Sequence, residues 1–171
     1  MPLNTDYTPS EIDSRAEALK QKLINLALAR KIATSPDELA VRDILPVEDL
    51  NYSKEYWSSA TLASGSFQPA VSVRVADNKV IGFFGVANPY TDTNTTELRF
   101  RIGPGGSRTI NIYELEPILK EENKIAAFDE DIIYKNGEYA TIDLYLTATG
   151  NSTIALLGFV VEPKGETVNQ G

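Results

Sequence analysis

From Ala70 to Pro163 apolar and polar side chains alternate with the period of two that a half-buried β-strand requires, and turn residues close each run. Residues 70–76 set Val71, Val73 and Val75 against Ser72 and Arg74, and Asp77-Asn78 then offers a two-residue turn into residues 79–86, predicting a hairpin. Residues 97–102 set Leu98, Phe100 and Ile102 against Glu97, Arg99 and Arg101, before the flexible connection Gly103-Pro104-Gly105-Gly106. Further strands are predicted over 109–115, 124–128 and 131–134, with a helical turn over 117–122. Asn136-Gly137 is the strongest hairpin turn in the chain. It leads into 139–147, where Ile142, Leu144 and Leu146 should face inward and Thr141, Asp143 and Tyr145 outward. Gly150-Asn151 turns the chain into a last strand over 153–161, followed by a polar tail. About eight short strands spaced in this way predict a mainly β protein, an antiparallel β-sandwich with jelly-roll topology.

Two runs break the alternation. Val80–Val86 and Ile154–Val161 are apolar almost throughout. A strand with no polar face needs cover on both sides. One cover is the opposite sheet; the other is either the N-terminal helix or a neighbouring subunit. Burying such side chains is worth roughly 1.5–3 kcal/mol each, enough to drive association if the helix is not the lid.

Ahead of the strands the period changes. Residues 1–9 read as an arm, and Ser10, with Glu11 and Asp13 in the first turn, predicts a helix start. Ile12, Ala16, Leu19, Leu23 and Leu26 recur at spacings of four and three, one helical stripe. Leu23–Ala29 is apolar nearly all round, which leaves open a helix covered on two sides, by its own domain and by another subunit. Ser35-Pro36-Asp37-Glu38 predicts a second short helix ending near Arg42. Between Asp43 and Pro69 the signal is mixed: Asp43–Pro46 and Tyr56-Trp57 read as anchored irregular segments or short edge strands, with Trp57 plugging one end of the sandwich. The chain therefore divides into an arm with helices (1–45) and a β-sandwich (46–171).

Composition removes more chemistry than it offers. The 171 residues contain no cysteine and no histidine, so disulfides, thiolate nucleophiles, serine–histidine triads and histidine-bearing metal centres are excluded. Net charge is −8; residues 1–33 carry five basic and four acidic side chains, so the acidity belongs to the remainder. A domain this acidic repels phosphate backbones, and no nucleic-acid partner is expected. No apolar run approaches the ~20 residues that span a bilayer, and the first residues carry no basic or apolar leader, so a soluble protein made in the cytosol, with no membrane partner, is expected.

Carboxylate pairs are the remaining candidates for chemistry. Glu114 with Glu116, Glu121 with Glu122, and Asp129-Glu130-Asp131 lie at strand ends or in loops and read as a solvated acidic surface. Asp92, Asn94 and Glu97 have the spacing of oxygen ligands but lack the glycine and terminal glutamate of a calcium loop, so a polar loop is the simpler reading. Gly103–Gly106 precedes a strand, not a helix, and reads as a turn, not a phosphate site. No cofactor, metal or catalytic residue is predicted. Tyr113, Tyr139 and Tyr145 could lie on an outer sheet face as a platform for a sugar.

From Lys79 onward the layout resembles jelly-roll accessory proteins of virus particles, in particular capsid decoration or cement proteins of tailed bacteriophages. The resemblance is carried by Gly82-Phe83-Phe84-Gly85, Leu98-Arg99-Phe100-Arg101, Ala127–Tyr134 and Leu156–Gly165, rather more than half the chain. It implies a non-enzymatic virion protein, made in the host cytoplasm, that forms a homo-oligomer (trimers are frequent in such families) and docks on a major capsid or other virion protein. The surface expected to meet those partners comprises Ile12, Leu19, Leu23 and Leu26 on the helix, with Phe83, Phe84, Leu157 and Phe159 on the two apolar strands. Within a particle its acidity predicts the outer surface, away from packaged DNA. The competing expectation is a carbohydrate- or receptor-binding sandwich of a tail fibre or similar; a two-carboxylate glycan-active enzyme ranks below both.

Overall fold

The computed structural model describes residues 8–54, 56–119 and 124–165; residues 1–7, the Glu121–Glu122 pair and the tail from Glu166 lie outside them. Helix α1 (Pro9–Ala29) starts before the predicted Ser10 cap. Thr8 accepts from the Glu11 amide while the Glu11 carboxylate accepts from the Thr8 amide, closing a capping box with Pro9 in the first helical position. The helix ends in a Schellman turn: the Ile32 amide bonds Ala27 O at 2.9 Å and the Lys31 amide bonds Leu28 O at 3.1 Å, with Lys31 left-handed at φ 61°.

Eight strands follow: β1 (Leu39–Asp43), β2 (Phe67–Arg74), β3 (Val80–Asn88), β4 (Thr95–Ile102), β5 (Arg108–Glu114), β6 (Lys124–Tyr134), β7 (Tyr139–Leu146) and β8 (Ala155–Pro163). They form two antiparallel four-stranded sheets, ordered β1-β8-β3-β6 and β2-β7-β4-β5. Strand 1 pairs with 8, 2 with 7, 3 with 6 and 4 with 5, as if one long hairpin had been rolled into a sandwich. That order is the jelly roll.

Several local expectations change. The second helix shrinks to a single 3₁₀ turn over Pro36–Glu38, and the residues after it form β1, pairing from Leu39↔Pro163 to Asp43↔Phe159. Tertiary pairing overrides the cap signal there. The stretch grouped with the helices thus supplies the first strand of the sandwich. A short helix, α2 (Pro46–Leu50), follows where an irregular segment was expected. The two strands expected over 124–134 are one, β6, although its ladder to β3 breaks between Ala127 and Ile132.

Neither predicted hairpin exists. The turns do form, with Lys79 N bonded to Ala76 O and Glu138 N to Lys135 O, but each carries the chain from one sheet to the other. The crossings also bond each other, through Val75 N to Glu138 O and Gly137 N to Val75 O. Asn-Gly chemistry specifies a reversal of direction, not the partner the next strand takes.

The main core lies between the sheets, built on Phe83, Phe100, Tyr113, Phe128 and Tyr134. Tyr113 stacks on Phe128 with ring centroids 4.3 Å apart, and Phe100 meets Phe83 and Phe128 at 5.5 Å. Trp57 packs at the edge of this core, edge-on to Tyr52, as the expected plug. A second cluster lies between α1 and the outer face of the first sheet: Leu19, Leu23 and Ala27 over Leu39, Val80, Phe84 and Val161. The apolar run of β3 is thus two rows, Ile81, Phe83 and Val86 facing the main core and Val80 and Phe84 facing the helix. Gly82 permits the close approach, since a Cβ there would lie 2.8 Å from Leu19 Cδ1 and 3.0 Å from Leu23 Cδ2. The second cover that the sequence left open between helix and neighbour is this chain's own helix. The outward side of α1 is polar or small, with Ser14, Glu17, Ala18, Gln21 and Asn25 exposed, so the helix itself needs no second cover.

Candidate functional site

The lid is incomplete. Phe84 stacks on Phe159 at 6.0 Å, and Lys20 of α1 places its Nζ 4.8 Å from the Phe159 centroid, closing that side by a cation–π contact. Beyond Lys20 an open groove of about 430 Å³ remains, lined by Ile44, Trp57, Phe84, Leu157 and Phe159 with Asp43 at its rim. Of the residues expected at a partner surface, Ile12, Leu26, Leu157 and Phe159 are half-buried around the second cluster, and Phe84 is nearly covered. Leu19, Leu23 and Phe83 have no exposed surface and are used within the chain, so they have none to offer a partner.

The three tyrosines do not form one platform. Tyr113 faces the main core with no exposed surface, its hydroxyl donating to Asp129 at 3.0 Å and accepting from Asn111. Burial, and then the Asp129 bond, push its phenol well above the usual range. Tyr145 does lie on the outer face of the second sheet, half-buried and edge-on to Phe67 at 5.5 Å. Tyr139 is exposed at the start of β7, where the chain enters from the sheet crossing.

The outward positions of the second sheet are closed by charge. Asp143 is fully buried; Arg99 Nε reaches it at 2.8 Å and Arg101 at 2.8 Å through Nη2 and 2.6 Å through Nε. Arg99 also lies over the Phe67 ring, 4.2 Å from its centroid. At one edge of the first sheet a second ionic group is balanced two against two. Asp49 of α2 takes both ends of the Arg42 fork at 2.6 and 2.8 Å and Lys79 at 3.1 Å, while Arg42 Nε reaches Glu162 at 2.8 Å. Burial raises the Asp49 carboxyl, but the bonds from Arg42, the Leu45 amide and Lys79 outweigh it and hold it below the usual range. Both groups tie neighbouring elements together, and Arg42 also reaches the surface beside Phe159.

The other acidic candidates resolve into structural roles. Asp131 sits at the break in β6 and takes Arg15 at 3.0 Å and Lys22 at 2.9 Å, fastening α1 to the sheet. Asp92 is saturated: its oxygens accept from the Asn94, Thr95 and Thr153 amides and the Thr95 hydroxyl. It is a loop clasp, with no lone pair directed at a cation. Glu114 and Glu116 are exposed and line, with Glu97, a depression open to solvent.

Sequence reasoning passed over one feature. Tyr56 and Tyr90 are the two most exposed large hydrophobics described, at 81% and 68%. Tyr56 and Trp57 are left-handed at φ 58° and 60°, as is Thr91 at 55°. The visible signal was a tyrosine in a loop, in 51–66 beside Trp57 and in 89–94 among threonine, aspartate and asparagine.

No protein-family profile and no curated protein matches the chain. Among solved structures it is similar to the infectious bursal disease virus VP2 subviral particle, at 12% identity and TM-score 0.33, covering 73% of this chain and 33% of that one. The structure of the Gx strain of the same virus gives 13%, 0.32, 74% and 34%. This chain thus spans about a third of the length of those proteins. Superposition this loose carries nothing about function, and the jelly-roll assignment rests on the strand order itself.

Proposed function

We propose that this is a non-enzymatic structural protein of a virus particle, decorating or cementing a capsid or sitting at its neck, and held there by protein–protein contacts. The observation that carries the reading is the apolar groove beside α1, which remains open after the chain's own helix has covered the rest of the sheet. An apolar opening of this kind, rimmed by Lys20, Arg42 and Asp43, has the composition of an interface centre and not of a catalytic cleft. The phage-accessory resemblance of residues 79–165 points the same way. So does the use of the buried carboxylates: Asp49, Asp131, Asp143 and Glu162 are all engaged in ion pairs.

On this reading Leu157 and Phe159 form the centre of the contact, Ile12 and Leu26 its helix side, and the partner is a second copy or a major capsid protein. A trimer is the symmetry to test first. Light scattering across a concentration series tests it, on the natural chain and on Phe159→Asp. The expected result is a multi-copy mass that falls to one chain in the variant while the melting temperature holds. A strict monomer at the highest concentration reached overturns the assembly reading.

A further inference from the structure

We propose that Asn136 is a site of spontaneous deamidation that helix α1 keeps closed, so that conversion marks chains whose helix has come off the sheet. Asn136-Gly137 is the one Asn-Gly step in the sequence. Its reaction needs no partner but water. The Gly137 nitrogen, its proton lost to solvent, attacks Cγ of Asn136; the Cγ–Nδ2 bond breaks and ammonia leaves. Water then opens the resulting succinimide at either carbonyl, giving aspartate or isoaspartate. Glycine hinders the attacking nitrogen least, and it is not readily exchanged here, because Gly137 is left-handed at φ 82°. The turn that carries the chain between the sheets therefore brings the reactive step with it.

The fold ties down both reactants. The Gly137 amide donates to Val75 O at 2.8 Å, so the nucleophile's proton is held in the bond between the two sheet crossings. The Asn136 side chain is held at both ends: Nδ2 donates to Asp77 O at 3.0 Å, and Oδ1 accepts from Arg30 Nε at 2.7 Å. Arg30 Nη2 also reaches the Asn136 backbone carbonyl, at 3.4 Å. Cγ cannot swing toward the nitrogen until these bonds open.

The Val75 and Asp77 bonds belong to the crossings themselves, but Arg30 is the C-cap of α1. Closure of the site therefore depends on the helix being in place. A guanidinium on Oδ1 would also stabilise the oxyanion formed on attack, an effect of opposite sign. Restraint prevails in this geometry, because Arg30 holds the backbone as well as the side chain while the nucleophile is engaged elsewhere. Conversion is also hard to undo. Either product replaces the Nδ2 donor to Asp77 O by an acceptor, and isoaspartate lengthens the backbone of the crossing by a methylene. None of these contacts belongs to the groove beside α1, so this inference and the assembly reading can fail separately.

The test is peptide mapping by mass spectrometry, with chromatography that separates aspartate from isoaspartate. It is run on the full chain, natural and Arg30→Ala, each folded and in urea. Asn151, exposed in the loop after β7 and bonded to Thr61, is followed in the same digests to report general loosening. In urea Asn136 should convert at one rate in both proteins. In the folded natural chain it should be slower by about tenfold or more, since reaction waits on local opening. Folded Arg30→Ala should convert several-fold faster than the folded natural chain, with Asn151 unchanged. Equal rates folded and in urea, or no conversion in urea, overturn the proposal. So does an Arg30→Ala rate at Asn136 that is unchanged or slower, or an acceleration that Asn151 shares.

Discussion

The two outer faces of the sandwich are made by the same strand alternation and finished in opposite ways. Over β2-β7-β4-β5 the outward row carries its own cover: Arg99 and Arg101 fold onto Asp143, and Arg99 lies on Phe67. Over β1-β8-β3-β6 the outward row is Val80, Phe84, Leu157, Phe159 and Val161, which nothing within the sheet can cover, so α1 is laid across it. A charged face closes itself with long amphipathic side chains. An apolar face needs a separate element, and where that element stops short, as beside Phe159, a groove is left open.

Removing the lid should have the largest effect. Leu19 and Leu23 are fully buried on Gly82, and truncating one such leucine costs about 2–5 kcal/mol. Leu23→Asp, which adds an unpaired charge, should unfold the protein or send it into aggregates at ambient temperature, and deletion of residues 1–33 should do the same; circular dichroism and turbidity report both. A deletion variant that stays folded and soluble would remove α1 from the account. The self-closed face should respond less. Asp143→Ala strands two arginines, but these are about a quarter exposed and water screens them, so a loss of roughly 1–3 kcal/mol in denaturant melts is expected.

A smaller loss should depend on pH. Asp49 titrates lower in the fold than in the unfolded chain, so its contribution is complete above the unfolded value, about 3.9, and disappears as pH falls from there through the folded value. Thermal melts from pH 6 down to pH 2, compared with Asp49→Asn, should converge at the acid end. A gap that stays constant would contradict the assignment. The least effect is a gain: Lys31→Gly at the left-handed end of α1 should add about 0.5–1 kcal/mol, read as a rise in melting temperature.

The strands and the helical stripe were legible because periodicity is a local property. Partner choice was not, because it depends on which surfaces remain to be buried once the sheet is rolled. Thus Asp77-Asn78 and Asn136-Gly137 were recognisable as turns, yet each feeds a strand in the opposite sheet. The adjacent pair Phe83-Phe84 was visibly doubly covered, but only the register, with its bulge before Gly85, puts Phe83 in the core and Phe84 under the helix. Tyr113 was misplaced too. In β5 it turns inward opposite Leu98, while Ile112 turns outward opposite Arg99 and Ile110 is exposed. The polar tip that lets the ring sit inside depends on Asp129, sixteen residues further on, which no local pattern shows. Tyr56 and Tyr90 were passed over because an aromatic in a loop is read as an anchor, as Trp57 is, until its exposure is known.

Labelling the six phenylalanines with fluorine and following each resonance across a protein concentration series tests the open seam directly. Phe159, and more weakly Phe84, should shift or broaden as chains associate, while Phe83, Phe100 and Phe128 in the main core stay fixed. Resonances that all remain unchanged, or movement at Phe83 with none at Phe159, would contradict a partner surface beside α1.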